Sequence, residues 1–284
     1  MAADGHRLAE LEITSAANPR IKQLVALRRR RERDRAGVTL VEGEAEIGLA
    51  LSAGVRPEAL YYCQDLNSPG AGPVIAAAVE HGAQVIRVPR VVFEKVSYRE
   101  GPDGLLAVVP AVASGLDGLS VSRTPLVLVC AGLEKPGNLG AILRTADAAG
   151  VEAVIAADPV TDWGNPNVVR ASKGTVFSVP VASGPSGQVL DWICARGLRI
   201  VAATPAAAQL MTAADLTGPV AIAVGAEQTG LTEEWLARAD VLVRIPMFGR
   251  ADSLNVSTSA AVLTYEAVRQ RMQGADLNSS PPVR

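Results

Sequence analysis

Leu126-Val-Leu-Val-Cys-Ala-Gly-Leu-Glu-Lys-Pro-Gly-Asn-Leu-Gly-Ala-Ile-Leu-Arg-Thr-Ala-Asp-Ala-Ala-Gly150 is the stretch on which the fold turns. Its first six residues form an unbroken apolar run, the pattern of a strand buried on both faces. A Gly- and Pro-containing turn follows. A helical pattern then runs over about 138–149 and stops at Gly150. The unit recurs along the rest of the chain. Near-continuous apolar runs at 153–156, 199–203, 220–224 and 241–245 alternate with helical patterns at about 166–173, 186–196, 232–238 and 254–272. Strands of this kind, separated by helices, predict an α/β domain over 125–273 built on a parallel sheet.

The first part of the chain alternates on a smaller scale. Asn18-Pro19 reads as an N-cap followed by proline at the first helical position. The helix it opens carries Ile21, Leu24, Val25 and Leu27 on one side and arginines on the other. Helical patterns at 42–53, 74–81 and 90–96 alternate with strand-like runs at 59–63, 84–88 and 105–109. These give a compact α/β unit over 13–110. The Ala-, Ser- and Gly-rich segment 111–124 reads as a linker. Residues 1–12 and 274–284 read as flexible ends.

Composition excludes several classes. The 284 residues carry 49% hydrophobic and 20% charged residues, enough to build real cores. Aromatics are only 4%, too few for a single-strand-binding platform. Net charge is −2, which argues against wholesale wrapping of nucleic acid. Charge is nevertheless concentrated. Arg20, Lys22, Arg28, Arg29, Arg30, Arg31, Arg33 and Arg35 face only Glu32 and Asp34 over the same span. This basic helix is the candidate phosphate-contacting element, and Arg90 and Arg99 can extend it. A solvated charged face is the bland alternative. Three scattered cysteines and two distant histidines, His6 and His81, leave no metal site, no disulfide framework and no histidine-based catalytic triad. The polar N-terminus has no signal-peptide core and no apolar run is long enough to span a bilayer, so the chain reads as cytoplasmic.

Three loops of the second domain stand out, because ligands in open parallel sheets bind beyond the carboxyl ends of the strands. The first is the Gly132–Gly150 turn and helix, where Gly137 and Gly140 allow close approach, Asn138 can cap and Arg144 can reach back. The second is Gly225-Ala-Glu-Gln-Thr-Gly-Leu231, two glycines around the carboxylate of Glu227. The third runs from Pro246-Met-Phe-Gly-Arg-Ala-Asp-Ser-Leu-Asn255 into a small-residue helix. Ser253, Asn255, Ser257, Thr258 and Ser259 supply short polar groups where backbone N–H groups are free, although such residues also serve as ordinary caps. Neither G-x-G-x-x-G nor a P-loop is present, which disfavours a nucleotide-binding oxidoreductase.

Taken together, Asn138-Leu-Gly-Ala-Ile-Leu-Arg-Thr-Ala146, Val224-Gly-Ala-Glu-Gln-Thr-Gly-Leu231 and Ile245-Pro-Met247 with Ser253-Leu-Asn-Val-Ser257, Tyr265-Glu266 and Arg269-Gln-Arg271 resemble, in order and spacing, the three motifs of the TrmH/SpoU family of the SPOUT superfamily. These are RNA ribose 2′-O-methyltransferases, and the likeness extends to the actinobacterial thiostrepton- and avilamycin-resistance branch. The first 110 residues resemble, more weakly, the family's N-terminal RNA-binding domain of the kink-turn-binding ribosomal-protein type. The resemblance implies a deep trefoil knot in the C-terminal domain and S-adenosylmethionine as cofactor. It implies a cofactor pocket at Thr204, Gly225, Gly230, Ile245, Met247, Ser253, Leu254 and Asn255. It implies a catalytic group of Arg144, Asn138, Glu227, Ser253 and Asn255, with no metal. Because arginine stays protonated in proteins, Arg144 is expected to hold a phosphate and stabilise a developing alkoxide rather than act as a base. The implied partners are RNA, 23S rRNA first and tRNA second, and a second copy of the chain as a homodimer, with no membrane and no DNA. A non-catalytic RNA-binding protein on the same fold is the alternative. The loop 97–104 and the basic helix are expected to choose the target.

Overall fold

The computed structural model describes residues 11–273. Residues 1–10 and 274–284, within the ends 1–12 and 274–284 read as flexible, lie outside the described residues, and His6 with them. The chain forms two compact units. One comprises the residues up to Val112 together with Gly164–Ser178, the other Ala113–Trp163 with the residues from Val179 onward.

The first unit has a five-stranded sheet. In chain order its elements are β1 (Leu11–Glu12), α1 (Pro19–Ala26), α2 (Arg30–Ala36), β2 (Val38–Glu42), α3 (Glu44–Ser52), β3 (Ala59–Tyr62), α4 (Ala71–Glu80), β4 (Gln84–Arg87), α5 (Arg90–Val96) and β5 (Leu105–Pro110). The strand order is β1-β4-β3-β5-β2, with β5 antiparallel to both its neighbours. Three details depart from the expectations drawn from sequence. Leu11 and Glu12, expected in a loose start, form an edge strand, held where the N–H of Ile13 donates to Arg87 O at 2.9 Å. The run 38–42 is a strand that the sequence pattern does not announce, and its last residue is not the helix start expected there. All five of its residues are buried against β5 and α3, so the apolar pull on both faces sets the strand and Gly43, at φ +116°, turns the chain into α3.

The third departure is the basic helix, which is two helices. Arg29 adopts an extended conformation between them. Leu27 is buried in the unit's core, and the Arg33 guanidinium turns inward to donate to Leu27 O and Arg28 O, both at 3.2 Å. A buried guanidinium must find acceptors, and these carbonyls, freed by the break, provide them.

The second unit is a seven-stranded, all-parallel sheet. Its elements are β6 (Leu126–Ala131), α6 (Pro136–Ala149), β7 (Ala153–Ala157), β8 (Val181–Gly184), α8 (Ser186–Ala195), β9 (Arg199–Ala203), β10 (Gln209–Leu210), β11 (Val220–Val224), α9 (Glu233–Arg238), β12 (Val241–Arg244) and α10 (Val256–Gln273). The helix between β7 and β8, α7 (Pro166–Ala171), belongs to the first unit, not to the second domain where its place in the chain puts it. Gly174, just after it, packs so closely on α3 that a Cβ would stand 3.0 Å from Glu46 O. Strand order is β10-β12-β9-β11-β6-β7-β8. Alternate residues such as Val127, Val129, Ala221 and Ala223 pack under Val189, Ile193 and Trp235 of α8 and α9. The intervening residues, Leu128 and Ile222 among them, are equally buried, toward α6 and α10. Two-sided burial is why these strands read as unbroken apolar runs.

The segment expected to be a linker docks on this unit. Leu119 is buried in its core, Leu116 O accepts from the Trp192 indole at 3.0 Å, and Ser114 O accepts from Ser183 N at 2.8 Å. β8, which the sequence pattern does not reveal, is the sheet's short edge strand. The Arg269-Gln-Arg271 ending of α10 closes the far end of the sheet. Arg271 donates to the carbonyls of Thr124, Pro125, Leu216 and Gly218 at 2.6–3.1 Å. Gln270 exchanges bonds with Ala214 O and Leu216 N, and Arg269 grips Glu266 through two bonds. No helix among the described residues is long and apolar enough to cross a membrane.

Candidate active site

Register brings the strand ends level. Val224 of β11 pairs with Cys130 of β6, Ala223 of β11 with Ala202 of β9, and Val243 of β12 with Ala203 of β9. The loops leaving β9, β11 and β12 therefore emerge side by side, and between them lies a cavity of about 460 Å³. Small-ligand sites commonly have volumes of about 300–1,000 Å³. Thr204, Gly225, Gly230, Ile245, Met247, Ser253 and Leu254, all expected from the sequence, line it. Asn255 does not.

Gly225 is where the cavity needs an absent side chain. The loop folds back on itself through Ala226 and Gly230, which exchange two backbone bonds of 3.1 and 2.8 Å. A Cβ on Gly225 would lie 2.1 Å from the Gly230 carbonyl carbon. Gly230 takes φ +68°, a left-handed conformation that glycine adopts at no steric cost. Sequence reasoning misses the remaining apolar wall, Leu231, Leu236 and Val243, together with Arg244 and Asp252. Leu231 and Val243 adjoin expected positions, but nothing local tells which face of a helix or strand end turns toward a cavity.

Glu227, which also lines the cavity, ties together the loops after β6, β11 and β12. Its Oε1 accepts from the side-chain amide of Asn138 at 2.6 Å and from that of Asn255 at 3.0 Å. Its Oε2 is paired with the Lys135 ammonium. Asn255 also donates to Asn138 Oδ1 at 3.3 Å. The hydrogen bonds from Lys135, then Asn138, hold the Glu227 carboxyl below the usual glutamate range, so it is ionised at neutral pH. Lys135 carries no signal in the sequence. It is exposed on its own loop, and only the fold brings it to a carboxylate from another strand.

Two roles differ from the expectations. Asn138 does not cap α6: Lys135 takes the N-cap position, Pro136 opens the helix, and the Asn138 side chain turns to Glu227. Asn255 caps α10 instead, its Oδ1 accepting from Ser257 N at 2.9 Å. Arg144 is exposed about one and two-thirds turns along α6 from Asn138, about 9 Å of rise. Among the described residues its side chain has no hydrogen bond and no ion pair. Also among these residues, no group of three or more His, Cys, Asp or Glu could hold a metal.

The cationic run of the first unit divides. Arg33 is buried, Arg28 donates to Lys95 O and Ser97 O and lies over the Tyr98 ring, and Arg99 pairs with Asp103 and Glu46. These three serve the unit's own packing. Arg20, Lys22, Arg29, Arg30, Arg31 and Arg35 are exposed. Of these, Arg30 pairs with Asp34 and Arg35 with Glu32.

A family model described as SpoU rRNA methylase matches residues 125–265, and one described as MRM3-like substrate binding domain matches 18–107. Over 279 residues, 95% of this chain and 96% of the relative, the sequence is 33% identical to the 23S rRNA (uridine(2479)-2′-O)-methyltransferase of Streptomyces viridochromogenes. The chain belongs to the SpoU rRNA methylase family. Solved structures agree with the SpoU assignment. A crystal structure of an RNA 2′-O ribose methyltransferase superposes with a TM-score of 0.82 at 46% identity, covering 92% of this chain and all of the other. An AdoMet-bound rRNA methyltransferase from Sinorhizobium meliloti superposes at 0.83 with 32% identity, covering 91% and 97%. The three loops around Glu227 lie within the SpoU-matched segment, and α1 through α5 within the substrate-binding match.

Proposed function

We propose that this chain transfers a methyl group from S-adenosylmethionine to a ribose 2′-hydroxyl of structured RNA, with 23S rRNA as the substrate. The observation that carries the reading is the convergence on Glu227 of three loops, beside a cavity sized for the cofactor. Bound there, the cofactor supplies an electrophilic methyl on sulfur.

The residues present fit an adenosyl group. Ile245, Met247, Leu254 and Leu231 give apolar walls to an aromatic ring, and the absent side chain at Gly225 leaves the backbone accessible to its polar edge. Thr204 and Ser253 offer hydroxyls. Glu227, ionised and saturated by Lys135, Asn138 and Asn255, is a poor proton acceptor and a good organiser: it fixes the two amides that orient the nucleotide. Arg144, a permanent cation, holds the adjoining phosphate and stabilises charge developing on the ribose oxygen as the hydroxyl proton passes to solvent water.

On this reading the first unit grips RNA through its exposed arginines, and the second carries the chemistry. The match of residues 18–107 to an MRM3-like substrate binding domain supports the first assignment. The strand order, with β11 and β9 on one side of β6 and β7 on the other, is compatible with a trefoil knot in the C-terminal part. The enzyme works as a homodimer in the cytoplasm. The relatives' action on 23S rRNA favours rRNA over tRNA.

Tritiated methyl transfer to total RNA, followed by mapping of the modified ribose, tests the function, and absence of transfer refutes it. Arg144→Ala is expected to abolish transfer while calorimetric cofactor binding stays near wild type. Loss of both together would overturn the role given to Arg144.

A further inference from the structure

Phe248 has no structural reason to be where it is. It is 96% exposed, whereas Phe93 is fully buried and Phe177 half-buried. An aromatic side chain left in water forfeits its burial free energy, so the free chain gains nothing from it. Its position in the chain is specific. Met247 on one side and Asp252, Ser253 and Leu254 on the other all line the cavity. Adjacent Cα atoms lie about 3.8 Å apart, so Phe248 stands at the cavity's mouth. Two cations flank it in sequence, Arg244 at the cavity wall and Arg250 on the surface. Neither side chain has a hydrogen bond or ion pair among the described residues.

We propose that Phe248 is a positioning residue for RNA: its ring stacks on a base at or next to the methylated nucleotide, while Arg250 meets the backbone phosphate. This rests on the methyltransferase reading above. Proteins that recognise folded RNA in a sequence-specific way target loops and bulges whose unstacked bases can be splayed out, and an aromatic face replaces the lost stacking without regard to base identity. A guanidinium beside it supplies the phosphate interaction that fixes register. A second protein surface is the poorer occupant. Gly249, Arg250, Ala251 and Asp252 beside Phe248 are small or charged, and an apolar interface core is depleted of charge.

The test uses the full-length protein and compares Phe248→Ala, Phe248→Leu and Phe248→Tyr. Wild-type transfer to RNA is established first, so that its absence counts against the methyltransferase reading alone. Given transfer, the Ala variant is expected to lose on the order of ten-fold or more in RNA affinity or transfer efficiency, with S-adenosylhomocysteine affinity unchanged. The Tyr variant is expected to recover the loss and the Leu variant not. A 2-aminopurine base placed at or beside the mapped nucleotide is quenched by the wild type and less so by the Ala variant. Equal RNA kinetics for wild type and Ala would overturn the proposal. Rescue by Leu as complete as by Tyr, or a fall in oligomeric state by sedimentation on Phe248→Ala, would assign the side chain to a protein contact instead.

Discussion

Gly225→Ala tests whether the folded-back loop is the wall of the cofactor pocket. The added methyl would lie 2.1 Å from the Gly230 carbonyl carbon and 2.3 Å from both Gly230 O and Leu231 N. All three are backbone atoms, so no side chain can swing aside. Ordinary van der Waals separation begins at 3.4 Å, so the two arms of the loop must part by roughly 1 Å or more. That movement strains the two bonds between Ala226 and Gly230, each worth about 0.5–1.5 kcal/mol net. Overpacking of this kind costs about 1–3 kcal/mol. If the displaced loop carries the cost into binding, affinity falls by roughly 5- to 150-fold. The assay is calorimetric titration with S-adenosylhomocysteine, with a thermal melt of the apoprotein in parallel. Gly230→Ala is the control: no atom lies within 4 Å of its added methyl, and only the φ of +68° penalises it. It is expected to lose about 1 kcal/mol of stability and little affinity. Gly225→Ala binding within about two-fold of wild type would refute the assignment of this loop to the pocket.

Two further outcomes are expected. Arg271→Ala removes four hydrogen bonds that join the end of α10 to the carbonyls before β6 and β11. It should lower stability by about 2–4 kcal/mol in urea denaturation, and a change under about 0.5 kcal/mol would show that the clamp is ornamental. Replacing Arg29, Arg30 and Arg31 by Gln should flatten the salt dependence of RNA binding, by up to about 0.7–0.9 logarithmic units for each phosphate that is no longer neutralised. Arg33→Gln should leave the slope alone and cost stability, because that guanidinium is buried on the unit's own carbonyls. An unchanged slope in the triple variant would remove the basic run from the RNA interface.

The parallel sheet of the second unit is legible in the sequence because double-sided burial writes itself locally: each buried strand is an apolar run. The short strands are not. β8, a four-residue edge strand, and β1, with two residues, carry too little sequence to register. β2 has five fully buried residues but is masked by its neighbours, because its Glu42 looks like a helix start. Buried Glu42 in fact accepts from Ser97 Oγ and Tyr98 N, both at 2.6 Å. The placement of α7 with the first unit has no local sign at all. Its two flanking strands belong to the other unit, and the packing of α7 on β2 and of Gly174 on α3 reveals the grouping.

The sequence by itself marked the loops at the strand ends, and the resemblance of their motifs named seven of the residues that line the cavity. Glycines, short polar residues and apolar strand ends sit at fixed offsets within single loops, because close approach and strand termination are local demands. Tertiary structure alone decided which side chains meet. Glu227 reaches Asn138 across 89 residues, and Asn255 reaches Asn138 across 117. The same holds for the cations. Arg28, Arg33 and their neighbours are indistinguishable as letters, yet some face solvent and others hold carbonyls left free by a helix break. A charged side chain's role depends on the acceptors that the fold leaves within its reach, and local sequence does not encode that distance.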